Sequence, residues 1–159
     1  RNPVDVSSTQ LKNLAGKKIK ISAYKGSWVM LYFFTHCDFE QSYPLLAKME
    51  ALGKSLGNLI NQSVIMPVYN QQCPIPTNFA QHISHDKTLK NHIMQISPPQ
   101  LADFNRHFNG RQLQGRIINQ NRFYVIDPKG RAIIYYVDST SISALYDDLS
   151  YLISKTHYA

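Results

Sequence analysis

Acidic side chains are in short supply here: 10 Asp and Glu stand against 17 Lys and Arg, for a formal charge of +7. That balance raises nucleic acid as a partner, and the placement of the charge argues against it. Lys17, Lys18, Lys20 and Lys25 gather near the start, but Arg106, Arg111, Arg116, Arg122 and Arg131 are dispersed over helix, loop and strand patterns. No recognition-helix pattern accompanies them, so no nucleic acid is expected. A solvated basic surface, of the kind that faces anionic lipid headgroups, fits better. Cysteine is scarcer still. Cys37 and Cys73 are too few for a disulfide scaffold and match no zinc spacing. Long apolar runs are missing as well, and no segment would cross a bilayer or serve as a signal peptide. The sequence opens on Arg1 rather than Met, so an upstream segment is expected to have been cut away.

What is present suits one packed domain. At 159 residues and 43% apolar content the chain can close a single core without metals or a disulfide framework. Up to about Leu14 it is polar and irregular, broken by Pro3 and the Ser7-Ser8-Thr9 cluster, which predicts an N-terminal arm or linker over residues 1–15 and one domain over 16–159. Lys18-Ile19-Lys20-Ile21 alternates as a half-exposed strand does. Trp28 to Phe34 is apolar on both faces, as a central strand must be when helices cover both sides of a sheet. Leu45, Leu46, Met49, Leu52 and Leu56 then recur at helical spacing, with Gly53 and Gly57 marking the exit, and Val64 to Tyr69 supplies another strand.

Asn70 to Thr77, with Cys73, Pro74 and Pro76, reads as a loop. From Asn78 to Ile96 the apolar spacing permits helix. Ser97-Pro98-Pro99 is a capped helix start leading to Phe108, with Gly110 as its stop. Phe123 to Ile126, a turn at Asp127-Pro128-Lys129-Gly130 and Ala132 to Val137 make a β-hairpin, and a last helix runs from Ser143 to Lys155. Strand, helix, strand, helix, hairpin and helix is the thioredoxin order. The expected fold is α/β, a central mixed sheet with helices on both faces.

Cys37 falls where a buried strand ends and a helix begins, and the free amides and dipole of a helix start favour a thiolate there. His36 beside it is a candidate to hold that thiolate or bind a metal. Asp38 and Glu40 oppose a thiolate if close, and serve equally well as acidic residues of a helix start. Cys73 follows a strand expected to neighbour the one leading to Cys37, so both lie at the carboxyl edge of the sheet, where active sites collect. The loop could bring them together, so a Cys37–Cys73 disulfide is a candidate that a Cα separation beyond about 7 Å would count against.

Gly26-Ser27-Trp28-Val29-Met30-Leu31-Tyr32-Phe33-Phe34-Thr35-His36-Cys37 resembles the Gly-Lys-x-x-Leu-Leu-x-Phe-x-Tyr-Thr-x-Cys approach of the Sco/SenC family, and Phe123 to Arg131 resembles that family's last hairpin. The resemblance implies a thioredoxin-fold protein tethered to the bacterial inner membrane, facing the periplasm and serving cytochrome c oxidase assembly through copper delivery or thiol reduction. In the family, copper sits on a Cys-x-x-x-Cys pair and a distant histidine. Here Cys37 holds the first position, Gln41 the second and Asn119 the third, so copper, if bound at all, would rely on Cys37 and His36. His82, His85, His92 and His107 are scattered over helix and loop patterns. No proline lies between Arg116 and Arg122, where thioredoxins place a cis-proline, in keeping with the Sco-like branch.

Three functions follow as expectations. One is an accessory protein with an altered or lost copper site, acting by contact with an oxidase subunit or assembly factor rather than as an enzyme. The second is a thiol redox protein using Cys37, with Cys73 as resolving cysteine. The third is a thioredoxin-fold binding domain without chemistry.

Overall fold

Apolar residues without a polar interruption leave Trp28–Phe34 no solvent-facing side, and all seven are buried. A computed structural model describes residues 3–34, 37, 39–56, 63–76, 92–108, 122–137 and 141–155. In chain order the strands are β1 (Val4–Asp5), β2 (Gln10–Asn13), β3 (Lys18–Lys20), β4 (Trp28–Phe34), β5 (Ser63–Asn70), β6 (Met94–Ile96), β7 (Arg122–Ile126) and β8 (Arg131–Val137). The helices are α1 (Phe39–Leu56), α2 (Pro98–Arg106) and α3 (Ile142–Lys155). The strands form one mixed sheet in the order β1-β8-β7-β4-β5-β6-β2-β3. β5 runs parallel to β4 from Trp28↔Ser63 to Phe34↔Tyr69, and β7 runs antiparallel on its other side.

The period of two along β4 divides the core. Trp28, Met30, Tyr32 and Phe34 face Leu46, Met49, Leu52 and Leu56 of α1 and Leu145, Leu149 and Ile153 of α3. Val29, Leu31 and Phe33 face a second core with Phe104 of α2, Tyr124, Met66 and Val68. Burying a side chain of this size contributes roughly 1.5–3 kcal/mol, so the covered faces of β4 anchor both layers. α2 starts as its sequence demands: Ser97 Oγ accepts from Gln100 N–H at 3.3 Å, with prolines in the first turn where no amide partner is needed.

Three expectations change. The segment read as an arm is part of the sheet: β1 pairs with β8, β2 pairs with β3 and β6, and Val6 and Thr9 are fully buried. β1 and β2 are two and four residues long, too short to show a period, and β8 and β6, their partners besides β3, lie far off in sequence. Met94–Ile96, read within a helix-permitting stretch, is the strand β6, because Met94 and Ile96 alternate into the second core beside Val68. Gly53 lies inside α1 rather than at its exit. The remainder of the Asn78–Ile96 expectation, up to residue 91, lies outside the described residues.

Candidate functional site

β4 and β5 end side by side. Their last paired residues, Phe34 and Tyr69, stack face to face with centroids 4.6 Å apart and planes within 6°, and Tyr32 stacks on Phe34 at 5.0 Å. This aromatic column belongs to the same core as Cys73. Beyond β5 the chain turns back tightly. Asn70 Oδ1 accepts from Gln72 N–H at 2.9 Å, Asn70 O accepts from Cys73 N–H at 2.9 Å, and Gln71 N–H donates to Ile96 O at 2.8 Å. An asparagine side chain that mimics a backbone turn thus fixes where Cys73 sits. Asn70 escaped the sequence reading, although an Asn closing a buried strand is the available signal.

Beyond β4, Cys37 lies two residues before α1 and is exposed. Its sulfur is bonded to that of Cys73, with Cα atoms 5.2 Å apart across a sequence separation of 36. The candidate disulfide is therefore present. The two ends differ sharply: Cys73 is 1% exposed, inside the first core, whereas Cys37 faces solvent. Thiol–disulfide exchange needs an approach to one sulfur along the S–S bond, and the exposed residue offers the entry. The N-terminal end of α1 supplies the dipole that favours a thiolate at Cys37.

His36, Asn119, His82 and His85 lie outside the described residues, as does the side chain of Gln41, whose backbone belongs to α1. His92 meets Tyr24, and His107 closes α2 with Nε2 3.6 Å from Asp103. Among the described residues, no group of three or more His, Cys, Asp or Glu is placed to hold a metal. The donor chemistry at the three positions implied by resemblance does not fit copper. Gln41 and Asn119 offer neutral amides where a soft thiolate and an imidazole are wanted, and the Cys37 sulfur is already bonded to Cys73.

A thioredoxin-like α/β domain, with a disulfide joining the two loops at the carboxyl edge of its parallel strands, is the class that this fold and site define. No protein-family signature matches the chain, and no curated protein matches it in sequence. Among solved structures it is similar to BsSco, a member of the Sco family of cytochrome c oxidase assembly proteins in which a disulfide switch is identified. Identity is 19%, with TM-score 0.65 over 98% of both chains. It is also similar to copper-bound ScoI of Arabidopsis thaliana, at 15% identity and TM-score 0.64 over 98% of both chains. The thioredoxin domain of a thiol-disulfide oxidoreductase from Bacteroides vulgatus matches at 15% identity and TM-score 0.56, over 94% of this chain and 97% of that one. The Sco resemblance read from two sequence segments thus extends to the fold of the whole chain.

Proposed function

We propose that this protein is a divergent Sco-like thiol–disulfide protein, in which Cys37 exchanges with a cysteine pair on a partner and Cys73 is the resolving sulfur. The observation that carries this reading is the bond between an exposed Cys37 and a buried Cys73. A partner thiolate attacks the Cys37 sulfur, the Cys37–Cys73 bond breaks, and Cys73 leaves as a thiolate. The partner's second thiolate then attacks the partner sulfur of the mixed disulfide and releases Cys37 as a thiolate. The partner dithiol is oxidised to a disulfide while Cys37 and Cys73 are reduced, and the reverse sequence reduces a partner disulfide.

The likeness to Sco structures supports an oxidase subunit or assembly factor as that partner. A disulfide persists in oxidising compartments, which supports a periplasmic setting. A membrane anchor ahead of the sequence is part of this proposal. Val4 pairs with Ala132, which pairs with Ile126 opposite Val29, so the chain enters the sheet at the end of β4 remote from Cys37. An anchor on that side would leave the disulfide facing outward.

The test is trapping. Cys73→Ser, mixed with a peptide disulfide, should accumulate a mixed disulfide at Cys37 detectable by mass spectrometry, whereas Cys37→Ser should react at least tenfold more slowly at its buried thiol. Equal reactivity of the two variants, or none in either, would overturn the redox reading. The burial of Cys73 favours one second reading, a structural staple in a binding domain, and the absence of any trapped species is its signature.

A further inference from the structure

The β2–β3 hairpin segregates its charge. Leu11 lies opposite Ile19 and both pack on the second core, so the strand period sends Gln10, Lys12, Lys18 and Lys20 to the other face. Lys12 stands directly across from Lys18, and Lys17 sits in the turn beside them. Lys17, Lys18 and Lys20 are exposed and Lys12 is half-buried. Like charges directly opposite destabilise a ladder. Lysines on the edge strand β3 would alone blunt that edge against aggregation, which leaves Lys12, on the inner strand, unaccounted for. From Val6 to Cys37 the sequence holds no Asp or Glu, and none of these four lysines forms an ion pair among the described residues.

The tip adds an independent feature. Leu14 is 44% exposed, and among the described residues Tyr151 is the one other large apolar side chain so exposed. The turn that presents it is well tied: Asn13 N–H donates to Lys17 O at 2.9 Å, Gly16 N–H to Asn13 O at 3.0 Å and Lys17 N–H to Asn13 Oδ1 at 2.9 Å. Gly16, at φ +86°, takes the conformation other residues resist. Leu14 is thus held outward within a group of lysines.

We propose that the tip of this hairpin docks on an anionic phospholipid surface, with Leu14 entering the interfacial layer and Lys12, Lys17, Lys18 and Lys20 facing the phosphates. Apolar insertion combined with lysine–headgroup attraction is the physics of peripheral membrane contact. Nucleic acid would use the lysines but has no need of an exposed leucine, and the hairpin offers no aromatic ring for a base to stack on. β2 runs antiparallel to β6, and β6 runs parallel to β5 and β4. The turn therefore points toward the amino ends of the central strands, while Lys12, level with Phe34 through Gln95 and Tyr69, stands three strands to the side of β4. This proposal stands apart from the thiol chemistry.

Cosedimentation with vesicles of phosphatidylcholine containing about one third phosphatidylglycerol tests it. The chain should bind these vesicles, release them at high salt and ignore pure phosphatidylcholine. Lys12→Gln with Lys18→Gln should weaken binding by roughly fivefold per lysine, and Leu14→Ser by several-fold, with thermal unfolding not lowered and the exchange rate at Cys37 unchanged. Failure to bind, or equal binding by the variants, would overturn it. So would an oligonucleotide that binds more tightly than the vesicles and is insensitive to Leu14→Ser.

Discussion

His92 has its Nδ1 buried without a hydrogen-bond partner among the described residues, and its ring meets Tyr24 edge-on at a centroid distance of 6.0 Å. Burial lowers its pKa from the ordinary 6.5 and raises that of Tyr24 from 10.0. The neutral imidazole is therefore favoured in the folded chain, while the unfolded chain takes up its proton near the ordinary value. Stability from this group is fully present above about pH 6.5 and is lost as the pH falls toward the depressed folded value. The urea midpoint should drop between about pH 7.5 and pH 5.5, and His92→Phe, which keeps a ring but removes the proton site, should flatten that slope. A slope unchanged by the substitution would place the acid sensitivity on other groups. Sequence alone left His92 as one of several scattered histidines, because its ring contact with Tyr24 joins residues far apart in the chain.

At the scale of elements, the β7–β8 hairpin was legible because its signals are local. Asp127 is buried and its Oδ1 accepts from the backbone N–H groups of Lys129 and Arg131 at 3.0 and 2.9 Å, while its Oδ2 takes two guanidinium nitrogens of Arg131 at 2.9 and 2.8 Å. Asp127→Ala would strand several donors and should cost about 2–4 kcal/mol in denaturant unfolding, with Asp127→Asn less severe because its amide oxygen still accepts. Gly130 ties the hairpin to the first residues of the chain: its carbonyl accepts from Val6 N–H at 3.0 Å. Its φ is +84°, and an added Cβ would lie 2.7 Å from Cβ of Ser7. Gly130→Ala should therefore cost about 2 kcal/mol or more, and Ser7→Gly in the same chain should recover the part due to the collision but not the part due to φ. Equal unfolding midpoints with and without Ser7→Gly would show that the collision is relieved by movement. The Ser7–Gly130 contact also explains why β1 escaped the sequence: its reasons for being ordered lie more than a hundred residues away.

For the molecule as a whole, the sequence disclosed what is continuous or periodic: the central strand, the crossover helix, the capped α2 and the last hairpin and helix. The position of Cys37 was equally legible, since a buried strand running into an amphipathic helix defines that junction. Its pairing with Cys73 followed from a topological guess, and the exposed–buried asymmetry that gives the pair direction needed coordinates. That asymmetry sets a limit on how much the fold can lean on the bond. Closing a span of 36 residues removes unfolded-chain entropy worth about 3–4 kcal/mol, a large share of the roughly 5–15 kcal/mol that holds a domain together. A protein that opens this bond in each exchange must survive without it. The pairing of β4 with β5 and β7 and the second core use neither cysteine, and Cys73 is one residue among many in the first core. The reduced chain should therefore remain folded and cooperative, with its urea midpoint lowered by an amount equivalent to about 3–4 kcal/mol. Cys37→Ser with Cys73→Ser should reproduce that midpoint. A reduced chain that unfolds outright in buffer would mark the bond as a requirement of the fold and remove the basis for repeated exchange at Cys37.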